Sequence, residues 1–462
     1  MKTRAIPTLI TVLFALSLAS CVIDLDESLS SESLSSASRY SSLKSTEEAK
    51  GNIAFVLNED GQSYSVTADY SNNHSITGEV IVPSTYNGLP VTRVKEKGFQ
   101  LSHMSSIRLP DTIVEIGKCA FMDCYGLREV SFGNGLTIIG DYAFAYSQGI
   151  EKISIPDSTL TIGDYTFLEC RTTKFLSIGR NLKHIGYSAF RGCTGLSNAL
   201  LLPEGLTHIG DYAFHSTSIS MAYIPKSVTN IGTGAFIKND LFEYIGVDPE
   251  NENYSSIDGV LYDKNQNEVL CFPTAKSPVT IRDTITYIGD DAYSSCKYFG
   301  ENLVIPESVI RIGSTAFFGI DNLKTVTLGS NVAVMGQGAF AGCFNLVEVN
   351  LNEVLTSISP YCFEYSDIAS LSLPNSITSI GKGAFESCQL LESLTINRGL
   401  TSIGDDVFQH CDNLSALNYE GTMSEWSQIE LSENWLRESI IETIHCSDGD
   451  VGIVRQEISS EN

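Results

Sequence analysis

Ser376 to Ile396 reads SITSIGKGAFESCQLLESLTI, and close copies of this stretch recur along most of the chain. Its phenylalanine serves as a ruler. The position is held by Phe99, Phe121, Phe144, Phe167, Phe190, Phe214 and Phe236, then Tyr293, then Phe317, Phe340, Phe363, Phe385 and Phe408. The intervals are 22, 23, 23, 23, 24, 22, 57, 24, 23, 23, 22 and 23 residues. A period in the low twenties, held over thirteen copies, predicts a solenoid whose rungs stack on one another. The interval of 57 is one period of 23 plus an insertion of 34.

Each copy has the same internal chemistry. An apolar residue, most often in Ile-Gly, stands five positions before the Phe, as in Ile116-Gly117, Ile139-Gly140, Ile209-Gly210, Ile312-Gly313 and Ile403-Gly404. The β-branched side chain suits a strand and the glycine lets the backbone turn. Asp141, Asp164, Asp211 and Asp405 follow, placed to cap one short helical turn. Three residues past the Phe comes a small residue, often Cys. An apolar run of period two then ends in Leu109-Pro110, Ile155-Pro156, Ile224-Pro225, Ile305-Pro306 or Leu373-Pro374, a second short strand stopped by proline. One repeat cannot bury its own apolar face, so the Phe column is core.

These residues resemble the BspA-like leucine-rich repeat family, whose signature is Leu-x-x-Ile-Gly-x-x-Ala-Phe-x-x-Cys-x-x-Leu-x-x-Val-x-Ile-Pro. The resemblance runs from about Val91 to Tyr419, with local departures at Tyr293, Met335 and Ser359. It implies a repeat solenoid, mainly β with short helical turns, of about 23-residue period and thirteen rungs. It also implies a bacterial surface protein used for attachment, with no catalytic residues to carry over.

The remaining chain divides around that body. Residues 1–21 read as a lipoprotein signal: Lys2 and Arg4 precede an apolar stretch, and Leu18-Ala19-Ser20-Cys21 has the form of a cleavage box. This resembles the bacterial signal in which the cysteine, here Cys21, is diacylated and becomes the mature amino terminus. The alternative is a plain secretory signal. Residues 22–50, with SLSSESLSSASRYSSLKS, read as a disordered Ser-rich tether. Residues 51–90 alternate as strands, with turn signals at Asn72-Asn73 and Asn87-Gly88, and read as a β-rich N-terminal cap. Residues 91–419 are the solenoid, with the insertion around 240–280. Within it, Gly259 to Tyr262 and Glu268 to Phe272 read as a protruding hairpin. Asp263, Asn265 and Asn267 alternate as in a calcium loop, but Glu268 stands where an EF-hand needs glycine. Residues 420–455 read as a C-terminal cap in which Trp426 and Trp435 plug the last rung, and 456–462 as a tail.

Charge and motif content bound the function. With 29 basic against 55 acidic residues, neither nucleic acid nor an anionic membrane surface is an expected partner. The membrane is engaged only through the lipid anchor. No phosphate loop, nucleophile elbow or dinucleotide fingerprint occurs, and no Cys-x-x-Cys. No enzyme, cofactor or metal site is therefore expected. Seven cysteines share the slot three past the Phe, which elsewhere holds Ser147, Thr217, Ser366 or Ile320. A small buried side chain is the expected requirement, with free thiols favoured over disulfides between adjacent rungs. His184 and His208 sit one rung apart just before Ile-Gly, and solvent exposure is expected for both.

The candidate binding face is the outward column of the pre-proline strands: Ser131, Ser154, Ser177, Tyr223, Thr327, Asn350, Ser372, Thr395 and Asn418. It should form a flat, hydroxyl-rich surface. Two functions follow from it. One is a non-catalytic surface lipoprotein that binds a host-matrix or microbial surface protein. The alternative is a carbohydrate-binding or spacer component of the cell envelope, with a glycan partner. An exposed aromatic stripe along this sheet face would favour the glycan, since rings stack on pyranose faces, but the column is mainly Ser, Thr and Asn, so the protein-binding reading leads.

Overall fold

The computed structural model describes residues 50–69 and 76–453. The export signal, Cys21, the tether up to residue 49, the Asn72-Asn73 turn and the tail lie outside the described residues. The rest is a β-solenoid of about 16 turns, the thirteen copies being extended by further turns at the insertion and the caps. Each Ile-Gly pair enters a short strand, and these strands pair in parallel from rung to rung in three runs, interrupted after Ile231 and after Met335. Val94, Ile116, Ile139, Ile162, Ile185, Ile209 and Ile231 lie in one unbroken register. After the insertion, Val269, Ile288, Ile312 and Met335 continue it, and then Ile358, Ile380, Ile403 and Leu431. The pre-proline strands form a second parallel column.

A third ladder joins the turns, and here the expected helical turn gives way to something else. The residues two before and two after the Phe take positive φ, as at Tyr142 and Tyr146 or Tyr165 and Glu169. Alternation of right- and left-handed residues aims every second N–H along the solenoid axis. Phe121 N–H donates to Ala143, Phe317 N–H to Ala339 and Phe340 N–H to Cys362. The flanking left-handed residues do the same, Tyr142 to Asp164 and Tyr146 to Leu168. Left-handed backbone costs on the order of 1–2 kcal/mol at a non-glycine residue, which the interlocked hydrogen bonds must offset. The Asp three before the Phe caps no turn of its own. Asp141 Oδ1 accepts the Asp164 N–H of the next rung at 2.9 Å, and Asp164 Oδ1 that of Tyr187 at 2.7 Å.

The Phe rings are buried and stack face to face along the axis, at centroid spacings of 4.9 to 6.2 Å and with planes within 16°. Each pair contributes roughly 0.5–1.5 kcal/mol beyond its buried area. Tyr293 keeps its place in the spine because its hydroxyl reaches the Thr280 carbonyl of the insertion, at 3.2 Å.

The cysteine slot has a requirement that size alone does not give. Cys124, Cys170, Cys193, Cys343, Cys388 and Cys411 each donate S–H to the carbonyl of the preceding rung's Phe, at 3.0–3.2 Å. Ser147 does the same with its hydroxyl to Phe121, and Asn239 with its amide to Phe214. Ile320 fills the slot without a donor, and Thr217 and Ser366 direct their hydroxyls to Phe214 and Cys388 instead. All eleven cysteines in the described residues are free.

The insertion does not protrude. Its strands Val260–Asp263 and Glu268–Cys271 pair antiparallel, and the second joins the first column beside Tyr287–Ile288. Val260, Leu261, Tyr262, Val269, Cys271 and Phe272 are buried, and Phe272 stacks on Tyr293 at 5.1 Å. Alternating apolar residues on both strands need a core on one side, and the gap in the Phe spine supplies it. The core nevertheless divides here into two clusters, with Leu261 and Cys271 on the first and Val260, Val269 and Phe272 on the second.

Both ends are closed. At the N-terminal end Ile53–Leu57 pairs antiparallel with Tyr64–Ala68, which leads into Leu89–Val94. Asn87 and Gly88, at φ 48° and 80°, form the two-residue turn that Asn-Gly favours. At the C-terminal end Trp435 sets its edge on Phe408 at 6.3 Å, with Trp426 beside it at 6.1 Å. The one helix among the described residues, Met423–Trp426, carries a capping box from Thr422 and Glu425.

The donor slot can be tested directly. Cys343→Ala should lower stability in urea by about 1–2 kcal/mol, because the Phe317 carbonyl loses its partner in the core. Cys343→Ser should recover part of that loss. A serine variant no more stable than the alanine variant would contradict the donor role.

Candidate binding face

The nine predicted residues lie where the spacing puts them, on the outward side of the second column. Ser131, Ser154, Ser177, Asn350 and Ser372 are exposed, and Tyr223, Thr327, Thr395 and Asn418 are half-buried. Several are true cross-strand neighbours: Ser154 with Ser177, Thr327 with Asn350, and Ser372 with Thr395 and then Asn418.

The surface differs from the expected flat sheet in two respects. The column is broken into runs, since Glu129–Ser131 and Lys152–Ser154 share no ladder, nor do Glu348–Asn350 and Ser370–Ser372. It also carries apolar members outside the polar column. Leu201 pairs with Tyr223, and Val304 with Thr327; both are exposed, Val304 by 67%. Phe175, beside the column, is exposed by 56%. The alternation was broken at those two rungs, by Leu-Leu-Pro and Asn-Leu-Val-Ile-Pro, and that was the signal available.

The polar side chains partly satisfy one another. Asn350 Nδ2 donates to Glu348 Oε1 at 3.0 Å and to Thr327 Oγ1 at 3.3 Å, and Thr325 Oγ1 donates to Asn302 Oδ1 at 2.7 Å. The C-terminal run from Ser372 to Asn418 is held by one five-stranded sheet, which makes it the most regular part of the face. Burial beside Asp248 pushes the Tyr223 phenol up to about 12, so it stays neutral.

Elsewhere the side chains offer packing rather than chemistry. His184 and His208 are half-buried and stack at 4.4 Å, rather than standing free in solvent. Burial and then His208 lower the His184 pKa. Burial also drives the repeat thiols up, to about 12 at Cys343 and about 11 at Cys388, which makes them poor nucleophiles. Among the described residues no group of three His, Cys, Asp or Glu is placed to hold a metal ion. Tyr142, Tyr165, Tyr187 and Tyr212 form an aromatic stripe on the turn side, at centroid spacings of 4.5, 5.0 and 5.8 Å. Tyr142 and Tyr165 stack face to face at 16°, whereas Tyr187 and Tyr212 meet edge to face at 74°.

The period, the Phe spine and the Ile-Gly ladder agree with the family model described as a BspA type leucine rich repeat region, which matches residues 92–201, 161–259, 271–368 and 356–441. The chain belongs to the BspA-type leucine-rich repeat family. Among solved structures it is similar to a leucine rich cell surface protein from Faecalibacterium prausnitzii, at 26% identity and a TM-score of 0.64. That likeness covers 84% of this chain and 99% of the other. The pneumococcal vaccine antigen PcpA, at 21% identity and a TM-score of 0.52, is covered over 87% and 100%. A leucine-rich repeat protein from Eubacterium ventriosum, at 20% and 0.50, is covered over 90% and 99%. The latter two likenesses concern the BspA-type fold alone. A comparison with curated proteins gives no match.

Proposed function

We propose that this BspA-type chain is a bacterial cell-surface lipoprotein that binds a protein partner along the pre-proline face. One observation carries the reading: small polar side chains repeat in register over successive rungs, on strands whose other side is fixed in the core. A partner can dock there without disturbing the stack, and extended solenoid surfaces serve such recognition. The likeness to a bacterial leucine rich cell surface protein supports the location. Leu201, Val304 and Phe175 add apolar anchors to a polar field, the composition that protein interfaces favour. A host-matrix or microbial surface protein is the partner class. The glycan reading has less support, because the column is mainly Ser, Thr and Asn rather than aromatic.

Contacts spread over several rungs should be individually weak. Ser372→Arg alone should weaken capture of the partner about threefold. Ser372→Arg, Thr395→Arg and Asn418→Arg together should weaken it about a hundredfold, or roughly 3 kcal/mol. A panel of immobilised matrix proteins and cell-wall glycans supplies the ligands. Undiminished capture by the triple variant would remove the face from consideration. The insertion offers no clean control, because deleting it takes out a buried rung.

The anchor has its own test. Cys21→Ala should shift the protein from the detergent phase to the aqueous phase when cells are partitioned. Wild-type protein found in the aqueous phase would argue for the plain secretory signal instead.

A further inference from the structure

The turn ladder has one gap. In every other rung from Phe99 to Phe385, the N–H groups of the Phe and of the residues two before and two after it all donate to the following rung. In the Phe236 rung none of the three does. Gly234, Phe236 and Lys238 donate no hydrogen bond, main chain or side chain, to any described residue. The cause is the insertion: the next chain segment to arrive is Glu268–Cys271, which pairs with Val260–Asp263 and Tyr287–Ile288, and the Phe272 that follows turns its N–H forward to Ala292 while offering these three groups no acceptor. Past the gap the structure closes up by long reaches. Tyr212 donates its hydroxyl to Asp291 at 3.3 Å, and Lys297 pairs with Asp240 at 2.9 Å.

A cleft of about 110 Å³ opens where the missing turn would lie, lined by Gly234, Phe236, Glu268, Leu270, Tyr287 and Asp290 among others. The Glu268 carboxylate is half-buried there and has no hydrogen bond or ion pair with any described residue. Such an arrangement is selective. A row of N–H groups on alternate residues matches the carbonyls that an extended strand presents on one side, again on alternate residues. A free anion is repelled by Glu268 and Asp290. The volume falls well below the roughly 300–1,000 Å³ of a small-molecule pocket, but it suits one side chain.

We propose that this cleft docks an extended peptide carrying a lysine or arginine. The N–H groups of Gly234, Phe236 and Lys238 donate to its carbonyls, and Glu268 with Asp290 holds its cation. Main-chain hydrogen bonds supply affinity and the side-chain pocket supplies selectivity, as in other strand additions to an open edge. The site is distinct from the pre-proline face and does not depend on it. The charged groups facing Glu268 are Asp263, Asp290 and Arg311. Burial first, then the two aspartates, hold Glu268 at about 7 against the pull of Arg311. A bound cation favours the ionised carboxylate, so affinity rises as pH increases through 7.

The test uses the full chain and two fluorescein-labelled hexapeptides, acetyl-Ser-Lys-Ser-Lys-Ser-Lys-amide and its Glu counterpart. Anisotropy should show the Lys peptide binding, the Glu peptide not, and tighter binding at pH 8 than at pH 6. Glu268→Gln, close in shape to the native residue, should weaken binding about tenfold and flatten the pH dependence. Hydrogen exchange should show the amides of Gly234, Phe236 and Lys238 unprotected in the free chain and protected when the Lys peptide is bound. Equal binding of both peptides would overturn the proposal. So would Lys-peptide binding that leaves the three amides unprotected, since that is adsorption to an acidic surface. No binding of the Lys peptide, or protection of the amides without it, would overturn it equally.

Discussion

Main-chain hydrogen bonds directed along the solenoid axis are the constraint on which the rest depends. A rung of 23 residues turns its backbone across the axis three times, and at each crossing the N–H and C=O groups point to the neighbouring rungs. Buried backbone groups left unpaired cost on the order of 1–3 kcal/mol each, so each crossing must stack in register with the next. Two crossings solve this as parallel strands. The third, around the Phe, alternates between right- and left-handed backbone so that every second N–H faces forward. The Phe spine follows from that register, since identical turns place identical rings above one another.

Side chains complete what the backbone leaves open. The Phe carbonyl, on the core side of the turn, takes a donor from the slot three residues past the next Phe, whether thiol, hydroxyl or amide. The Asp three before the Phe reaches the N–H of the following rung. Both bonds run between rungs rather than within one, so a repeat is not a unit that folds alone. Stability in such a stack is a sum of neighbour terms. The insertion is the place where the sum is interrupted, because it fills the spine with Phe272 but offers the turn of the Phe236 rung no acceptors. Two cores and three unpaired N–H groups meet at that one seam.

The fold and the outline of the face were legible, for a physical reason: thirteen copies report the same environment thirteen times. Val260 to Phe272 could be read as a hairpin but not placed, because periodicity says nothing about a stretch that occurs once. The helical expectation for the turn came from Asp, a good cap, while the contrary signal was present. Gly234, Gly338 and Gly383 two before the Phe, and Gly192, Gly319 and Gly342 two after it, mark the left-handed positions. In the thiol slot, Cys, Ser and Thr are all small, which by itself points to a size limit. Their shared ability to donate is the better account, although Ile320, and Thr217 and Ser366 whose hydroxyls turn elsewhere, show that it is not absolute. On the binding face, Leu201 and Val304 depart from the polar majority, and a repeating column predicts only its majority residue.

Neighbour-only coupling is the central claim, and the two tryptophans make it measurable. Trp426 and Trp435 both sit in the C-terminal cap, so their fluorescence reports that end alone, whereas far-ultraviolet circular dichroism reports the whole solenoid. Urea unfolding of Phe121→Ala, a core truncation costing about 3–5 kcal/mol, should lower the early part of the dichroism transition. The tryptophan midpoint should stay at its wild-type value. A single coincident transition, with both midpoints shifted together, would contradict the account, because it would mean that the rungs unfold as one unit across the seam.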